Sequence, residues 1–501
     1  MRFNVTGRHL PIKSAIAALL LLSKPVWADA FSEHHLDVDF NITQAPISAD
    51  ISPHPGKEII AIGRSSAKAQ QVAVLALVDG TLTQVDRFAI GEQYFAYDIG
   101  NDPQGKQTLY FLAKDHVGRY QYPQGPSEPR LLSYLEVSSV FQIQRSNFMR
   151  RMPFIFDFNG DESADVMLPN FNELQVWFSQ QGKAHKLSKL AITGQNVLTR
   201  DGLSVTPAQT FTLDINNDER MDIVHLTSGQ LHIYTAAKRH FDHQAVAIRE
   251  DIHAIDWWDQ LDDDGRSLDQ SDLNYRKLER FEDVNGDAIV DMVVRYTQSS
   301  GVLDRKNDYE IFYGKNTADG ELRYGAQADT TVRAEGTLTG LELQDIDGDG
   351  RKEVMVSSFE LGVSQVVSAL LASSIDQDVL LYRQNAQGHY PEQPSMDYET
   401  EMGFSISKGR ASEPLVKLAD ISGDGILDLL LSEDSDELIY RLGNKDGGFS
   451  RKSSQDIALP QSAAQISHAD INGDNKADLI AYYGKLDSAK LHKRLTLLVA
   501  K

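Results

Sequence analysis

The residues best suited to chemistry recur as one short pattern, which is clearest at Asp345–Val356 (D-I-D-G-D-G-R-K-E-V-M-V). Asp345, Asp347 and Asp349 alternate at positions 1, 3 and 5 of this stretch, and Glu353 follows at position 9. Carboxylates held this close in a tight loop repel one another unless a cation lies among them. A ligand set made only of oxygen atoms is typical of calcium. The pattern therefore predicts a calcium-binding loop.

Six clear copies of the pattern occur, and each offers side-chain oxygens at positions 1, 3, 5 and 9. The candidate metal ligands are Asp157, Asn159, Asp161 and Asp165; Asp214, Asn216, Asp218 and Asp222; Asp283, Asn285, Asp287 and Asp291; Asp345, Asp347, Asp349 and Glu353; Asp420, Ser422, Asp424 and Asp428; and Asp470, Asn472, Asp474 and Asp478. A serine hydroxyl is a weaker calcium ligand than a carboxylate or amide oxygen, so we expect the copy with Ser422 to be the loosest site. The sequence predicts about six calcium ions per chain.

Other positions of the pattern constrain the backbone. Position 4 is Gly or Asn in every copy, and these residue types adopt positive φ most readily, so a sharp turn is expected there. Position 2 is always apolar, which anchors the loop to a core, and position 7 varies in type, as suits a ligand that is a backbone carbonyl. Position 12 lacks the Glu of an EF-hand, and a short apolar β run follows position 9 instead. The alternative interpretation is an acidic β-turn that binds nothing.

The elements that position these loops are predicted to be the strands of a repeated sheet. Successive copies begin 50 to 75 residues apart, which fits a four-stranded propeller blade with loop insertions. A second strand-like run follows each of the first five copies; these runs begin at Glu173, Gln230, Tyr309, Asp378 and Glu437. The fold class predicted is therefore all-β, a β-propeller of four-stranded antiparallel blades.

Degenerate copies of the pattern precede the first clear one. The stretch Asp50–Glu58 ends on Lys-Glu like the copy at Asp345 but lacks acids at positions 3 and 5, so no metal is expected there. A second stretch, beginning at Asp98 before a strand at Thr108, lacks an acid at position 9, and metal binding there is left open. With these copies the chain has eight units, so eight blades are favoured and seven are the second choice. The stretch His35–Ile42 is expected to pair with the last blade and close the ring.

Residues 1–30 have the pattern of a secretory signal peptide, with a basic start, a short apolar run and an A-x-A site at 28–30; the alternative is a retained N-terminal anchor. Residues 31–501 are then expected to form a single extracytoplasmic propeller domain, either periplasmic or secreted, without a transmembrane segment. The chain has no cysteine, which excludes disulfides and thiolate metal sites. Its formal charge of −23 argues against a nucleic-acid partner.

The repeated pattern resembles the FG-GAP/VCBS repeat family, whose relatives include the head of the integrin α subunit. The resemblance is strong from Asp157 to Tyr483 and weaker before it. It implies that the D-x-[DN]-x-D-G-x-x-D loops bind calcium within propeller blades, with the ligands named above. Members of the family act as adhesion heads, as lectin-like binders and, less often, as polysaccharide lyases. The resemblance implies a fold and a metal but not a ligand.

Two classes of function stay open. The first is a non-enzymatic binding or adhesion scaffold for a protein or a glycan, and the second is a carbohydrate-active enzyme such as a polysaccharide lyase. The favoured class is the binding scaffold, because no H-E-x-x-H, G-x-S-x-G or phosphate-binding loop occurs, and no catalytic residue is predicted. Three insertions are candidates for recognition: Tyr134–Arg151, Asp256–Tyr275 with its Trp257–Trp258 pair, and Leu361–Ser374, which has helical spacing. The tryptophans are expected to pack beneath their loop.

Overall fold

The structure, a computed structural model, describes residues 30–501 except 126, 139–148, 181–184, 200–201, 261–267, 270, 302–303, 319, 335, 360–373, 406–409, 412 and 433–435. The predicted signal peptide, apart from residue 30, lies outside the described residues. The same is true of the predicted helix in Leu361–Ser374, apart from Ser374, and of the centre of the insertion Tyr134–Arg151.

Within the described residues the regular structure is β, apart from one short 3-10 turn at Ala463–Gln465. The larger sheets are numbered I to VII in chain order. Sheet I contains β2 (Asn41–Ile42), β3 (Ile47–Ala49), β4 (Glu58–Arg64), β5 (Gln70–Val78) and β6 (Thr81–Ile90). Sheet II contains β7 (Tyr94–Asn101), β8 (Gln107–Ala113), β9 (His116–Tyr120), β10 (Leu131–Glu136) and β11 (Arg150–Arg151).

The next two sheets have four strands each. Sheet III contains β12 (Ile155–Phe156), β13 (Asp165–Pro169), β14 (Leu174–Phe178) and β15 (Lys186–Leu190). A separate hairpin follows, made of β16 (Gln195–Thr199) and β17 (Gly202–Thr206). Sheet IV contains β18 (Thr210–Leu213), β19 (Asp222–Thr227), β20 (Gln230–Ala236) and β21 (Phe241–Ala247).

Sheet V is the largest and consists of two halves. The first half contains β22 (Ile252–His253), β23 (Leu273–Glu282), β24 (Asp291–Gly301), β25 (Asp304–Phe312) and β28 (Thr330–Val332), with a small hairpin of β26 (Lys315–Asn316) and β27 (Leu322–Arg323) beside it. The second half contains β29 (Thr337–Gln344), β30 (Glu353–Phe359), β31 (Ser374–Tyr382), β32 (Met396–Ser405) and β33 (Arg410–Ala411). The halves are joined through a single parallel residue pair, Asn307 with Thr337.

The last two sheets again have four strands each. Sheet VI contains β34 (Val416–Ala419), β35 (Asp428–Leu431), β36 (Glu437–Arg441) and β37 (Ser453–Asp456). Sheet VII contains β38 (Ile466–Ala469), β39 (Asp478–Tyr482), β40 (Arg494–Ala500) and, at its edge, β1 (Phe31–Asp37). The prediction of antiparallel four-stranded sheets is confirmed, and the strand-like runs predicted after the first five loops overlap β14, β20, β25, β31 and β36, extending one or two residues beyond the first, third and fifth of these strands.

The predicted pairing between the N-terminal region and the last sheet is present, but the bounds of the pairing strand differ from the prediction. Strand β1 pairs antiparallel with β40 from Phe31 opposite Ala500 to Asp37 opposite Arg494. The predicted strand His35–Ile42 is therefore correct only in its first residues, because the chain then leaves sheet VII and Asn41–Ile42 pairs with β4 of sheet I. The N-terminal segment thus connects the last sheet to the first.

Among the described residues the core consists of eight main hydrophobic clusters, each lying between two sheets or between the two halves of sheet V. Strands in the middle of a sheet are apolar on both faces, as in β35, because each sheet packs against a neighbour on either side. The clusters join sheet I to II, II to III, III to IV, IV to the first half of V, the two halves of V to each other, the second half of V to VI, VI to VII, and VII to I.

Candidate metal-binding loops

Each of the six predicted loops connects the first and second strands of an antiparallel set. We name each loop by the number of its first residue. Loop 157 joins β12 to β13, loop 214 joins β18 to β19, loop 283 joins β23 to β24, loop 345 joins β29 to β30, loop 420 joins β34 to β35, and loop 470 joins β38 to β39. The position 2 side chains are buried in the cores beneath, which anchors the loops as the sequence predicts.

The six loops share one backbone conformation with two left-handed residues. Position 4 has positive φ in every copy: Gly160 (68°), Asn217 (56°), Gly286 (77°), Gly348 (77°), Gly423 (76°) and Gly473 (81°). The sequence predicts this turn correctly. Position 6 also has positive φ: Glu162, Glu219, Ala288, Gly350, Gly425 and Asn475. Sequence reasoning missed this second turn because three of these six residues, the two glutamates and the alanine, are of types that do not favour positive φ.

Position 1 aligns the backbone of the loop. In loop 345, Asp345 Oδ1 accepts hydrogen bonds from the N–H groups of Gly348 at 2.7 Å and Asp349 at 3.1 Å, and its Oδ2 accepts one from Gly350 at 2.9 Å. The bond from the N–H of position 6 to the position 1 carboxylate occurs in all six loops, at 2.8 to 3.0 Å. The carboxylate of position 5 accepts the N–H of position 7 in all six as well.

Position 9 is a buried anchor of the loop. One carboxylate oxygen accepts the N–H of position 2 in every copy; in loop 470, Asp478 Oδ2 accepts it from Ile471 at 2.9 Å. In the five loops with Asp at this position, the other oxygen accepts an N–H from a later residue of the same sheet, which for Asp478 is Ala500 at 2.9 Å. These five aspartates are fully buried. Except for Asp428 Oδ2, which also accepts the N–H of Ser422 at 3.1 Å, each of these oxygens accepts one of these bonds and keeps a second lone pair for a metal, so anchoring and metal binding are compatible.

Burial raises the pKa of the position 9 carboxyl groups, because the charged form loses its hydration. The pKa is raised to about 7 for Asp165, Asp291 and Glu353 and to about 6 for Asp222 and Asp428. Hydrogen bonds from the backbone oppose this effect, and the other acids of the same loop add to it. A cation in the loop would favour the ionised form again.

The donor set fits calcium. Within the described residues, one group of three His, Cys, Asp or Glu side chains has ligand atoms within 4.8 Å of one another, and it is Asp345, Asp347 and Glu353. The other five loops share with loop 345 the N–H bonds from position 6 to position 1, from position 7 to position 5 and from position 2 to position 9, and they have Asn or Ser at position 3. Every side-chain ligand offered is an oxygen, and no nitrogen or sulfur donor belongs to the set, which is the chemistry of a hard cation.

The degenerate copy at Asp50 retains the anchor but not the loop conformation. Glu58 is fully buried and accepts the N–H groups of Ile51 at 2.8 Å and Ser52 at 3.0 Å, as position 9 does elsewhere. Pro53 occupies position 4, where its ring prevents positive φ. The Lys106 ammonium from the next sheet lies 2.6 Å from the Ser52 carbonyl oxygen and 3.8 Å from Asp50 Oδ1. The Lys106 ammonium therefore already places a positive charge beside the position 1 acid of this copy, Asp50.

The predicted second degenerate loop at Asp98 is wrong in its placement. Asp98 lies within strand β7. Its Oδ2 accepts hydrogen bonds from the N–H groups of Phe154 at 2.9 Å and Ile155 at 3.0 Å, which lie at the start of sheet III. The turn lies further on, where Asp102 Oδ1 accepts the N–H groups of Gln104 and Lys106. Asp98 thus fastens sheet II to sheet III rather than opening a loop.

The paired tryptophans of the insertion Asp256–Tyr275 differ in burial. Trp257 is 6% exposed and packs with Leu273 and Tyr275, whereas Trp258 is 48% exposed. The prediction that both pack beneath the loop is therefore correct for the first and wrong for the second. The guanidinium of Arg295 lies 5.6 Å from the Trp258 ring, so one face of the exposed indole is already covered. Residues 261–267, including Asp262 and Asp264, lie outside the described residues.

Comparison with known proteins gives a local family match. A family profile described as an FG-GAP-like repeat matches residues 420–481, which run from the start of loop 420 to three residues past loop 470. Residues 420–481 form an FG-GAP-like repeat. No match is found among curated proteins. The FG-GAP-like repeat contains the ligand sets of both loops, so the predicted sites from Asp420 to Asp478 lie inside the matched segment.

Solved structures with an overall likeness share little sequence with this chain. A lectin from Agrocybe aegerita, whose structure describes specific recognition of non-reducing terminal N-acetylglucosamine, is 14% identical, with a TM-score of 0.38 and coverage of 84% of this chain and 93% of that one. The WD40 domain of SCAP from fission yeast is 10% identical, with a TM-score of 0.39 and coverage of 94% and 98%. A protein from Lactobacillus plantarum is 10% identical, with a TM-score of 0.37 and coverage of 84% and 98%.

Replacing an acid in a complete loop is expected to have a larger effect than replacing one in a degenerate copy. Asp349→Ala removes a position 5 carboxylate that is hydrogen-bonded to the backbone of its loop, so we expect weaker calcium binding and a lower Tm. Asp50→Ala removes a half-exposed carboxylate where no metal is expected, and the Tm should change little. Thermal melts of both variants in excess calcium test this distinction between complete and degenerate loops. Equal changes in Tm would contradict it.

The raised pKa values predict how the stability of the metal-free protein depends on pH. Because the folded state holds protons on the position 9 carboxyls up to pH 6 or 7, and the unfolded state releases them near pH 4, the free energy of unfolding should fall as pH rises across this window. Metal-depleted protein should therefore melt at a lower temperature at pH 7.5 than at pH 5, and added calcium should narrow the difference. If the metal-depleted protein melts at a higher temperature at pH 7.5 than at pH 5, the raised pKa of the position 9 carboxyl groups would be contradicted.

Within the part of the chain that the structure describes, no helix is both long and apolar enough to cross a membrane.

Proposed function

We propose that this chain is an exported, calcium-stiffened β-propeller of eight blades that acts as a non-enzymatic binding scaffold. The observation that carries the proposal is the set of six loops with the same turn and the same carboxylate hydrogen bonds, each at the same place in its sheet. Calcium in these loops would neutralise clustered acids and fix the connection between the first two strands of each blade.

Eight blades are supported by the order of the hydrophobic clusters. Treating the two halves of sheet V as separate blades gives eight antiparallel sets, and each set shares one cluster with the set before it and one with the set after it. The cluster between sheets VII and I and the pairing of β1 with β40 favour a closed ring. Seven blades would require two of these sets to act as one. Export is proposed from the signal-like residues 1–30.

Adjacent loops are linked through the backbone, which supports a common face. The N–H of position 8 in one loop donates to the position 2 carbonyl of the preceding loop: Lys352 to Val284 at 2.9 Å, Leu427 to Ile346 at 3.3 Å, and Lys57 to Ile471 at 2.9 Å. Calcium in one loop would therefore stiffen the edge of the next blade, which suits a rigid platform for recognition.

A polar cavity of about 710 Å³ beside sheet IV is the best candidate for ligand recognition. Its lining includes Glu250, Asp259 and Gln260, whose oxygens are suited to accept hydrogen bonds from the hydroxyl groups of a glycan. The Tyr275 hydroxyl donates to Gln260 Oε1 at 2.6 Å and thereby fixes that side chain. A cavity with acidic and amide groups favours binding of a neutral polar ligand over binding of an anionic one.

The lyase alternative is favoured by one cavity but opposed by its charges. A smaller cavity of about 250 Å³ is lined by Arg280, Arg295, Tyr309 and Glu279, which includes the cation and tyrosine types that a lyase needs. However, the Arg295 guanidinium lies 3.0 Å from Glu279 and also pairs with Asp256. Its charge is therefore already compensated within the protein, and little of it is left to neutralise an anionic sugar.

A glycan array, run beside a partner pull-down in calcium-containing buffer, tests the proposed function. We expect calcium-dependent capture of a glycan or protein, weakened by Asp259→Asn or Gln260→Ala and unaffected by Trp258→Ala. An assay for unsaturated uronate products from acidic polysaccharides tests the alternative in parallel. Product formation that is lost in Arg295→Ala would overturn the binding proposal in favour of the lyase.

A further inference from the structure

A row of three histidines crosses sheet IV outside the calcium loops. His225 lies on β19, His232 on β20 and His243 on β21, and His225 is directly opposite His232 in the strand register. His232 is half-buried and His243 is exposed. The strand register places all three on one face of the sheet, because His243 pairs with Tyr234, two residues from His232 along the same strand.

Two of these side chains face each other with ring nitrogens. His232 Nδ1 lies 3.0 Å from His243 Nε2, and the two rings are almost parallel, with 8° between their planes. Two imidazole nitrogens that each lie about 2.0–2.1 Å from one zinc ion are separated by about 2.9–3.4 Å for angles from 90° to tetrahedral. The observed separation is therefore compatible with a shared metal ion, and it equally fits the hydrogen bond that joins the two rings in this structure.

The surroundings hold these rings in place. The Tyr234 ring, which is buried, packs against His243 with 4.8 Å between centroids. Burial, together with the neighbouring histidines, lowers the pKa of His232. The His225 ring lies 6.5 Å from that of His232, and its Nδ1 donates a hydrogen bond to the Gln209 carbonyl oxygen at 3.1 Å, so His225 reaches a common ion only after a change of rotamer.

We propose that His232 and His243, with His225 as a third donor, form a binding site for a borderline divalent transition-metal ion such as Zn²⁺. Imidazole nitrogen suits zinc, copper and nickel, whereas calcium selects oxygen, so this site and the six loops take different metals. When the ion binds, it replaces the hydrogen bond between the facing nitrogens: the ring that donated this bond changes tautomer, so that its proton moves through solvent to its outer nitrogen, and the accepting ring retains the proton on its own outer nitrogen. The proposal does not depend on the binding function proposed above.

Titration calorimetry with Zn²⁺ alone, on full-length protein kept in excess calcium to fill the loops, tests this site. We expect one Zn²⁺ per chain, with affinity at least about tenfold weaker in His232→Ala and in His243→Ala. Replacing a residue that only hydrogen-bonds to a metal ligand already weakens metal binding about tenfold or more, and loss of the ligand itself should weaken it at least as much. His240→Ala is the matched control, because His240 is exposed in the turn before β21 and lies outside the row. Its affinity should equal that of the unsubstituted protein.

A second variant separates metal binding from a structural role of the pair. His243→Gln keeps a side chain that hydrogen-bonds, so the fold should melt unchanged while Zn²⁺ affinity falls. Electron paramagnetic resonance with Cu²⁺ as the probe should show coupling to imidazole nitrogen that disappears in the His232→Ala/His243→Ala double variant. Absence of Zn²⁺ binding by the unsubstituted protein, or unchanged affinity in the double variant, would overturn the proposal.

Discussion

Removal of calcium is expected to lower the Tm by on the order of 15 °C. Metal that binds only the folded state stabilises it by about 2.7 kcal/mol per site at one hundred times its Kd, so six sites together contribute about 16 kcal/mol. That sum is comparable with the whole stability of an ordinary domain, about 5–15 kcal/mol. A stability change of 1 kcal/mol shifts the Tm of smaller domains by about 2–4 °C, and the shift decreases with chain length because the entropy of unfolding grows. For this longer chain we take about 1 °C per kcal/mol.

The measurement is a thermal melt in excess calcium and after chelation, followed by circular dichroism. Magnesium added in place of calcium is the control, because its preference for near-ideal octahedral geometry and retained waters suits these loops poorly. An unchanged melt after chelation would count against metal in the loops.

Glu58→Ala is expected to destabilise the protein equally with and without calcium. The carboxylate is fully buried and accepts N–H bonds from Ile51 and Ser52 and the Ser52 hydroxyl at 2.5 Å. Each buried donor left without a partner costs about 1–3 kcal/mol, so loss of the partner of all three donors should cost about 3–9 kcal/mol. Lys106 rather than a metal supplies the positive charge near this copy, so the effect should not change with calcium.

Urea unfolding of Glu58→Ala in calcium and in chelator checks this, with Asp50→Ala as the control from the same copy. Glu58→Gln is informative beside them, because its amide oxygen retains one acceptor for the two N–H groups and should recover part of the loss. A destabilisation that appears only in calcium would show that this copy binds metal and that the anchor role is misassigned.

The strands and the positions of the six loops were predictable because their signals are local. Alternating apolar residues define strands such as β14 and β36, and Gly or Asn at position 4 marks the left-handed turn. The resemblance to a repeat family agrees with the FG-GAP-like repeat found at residues 420–481. Calcium, export and the partner remain predictions that rest on residue types.

The features that were missed depend on contacts between distant parts of the chain. The anchor role of position 9 arises from N–H groups such as that of Ala500, 22 residues from Asp478, although its retention in the degenerate copy as Glu58 was a usable signal. Asp98 was misplaced because its partners are Phe154 and Ile155, far along the chain. The histidine row is invisible in sequence, since only the strand register brings His232 beside His243.

The most direct test of the central claim is the number of calcium ions bound per chain. Equilibrium dialysis followed by elemental analysis should find about six ions per chain, matching the six loops with complete ligand patterns. Asp349→Ala should lower this number by one, and Asp50→Ala should leave it unchanged. A stoichiometry of zero or one, or a loss of an ion in Asp50→Ala, would contradict the account.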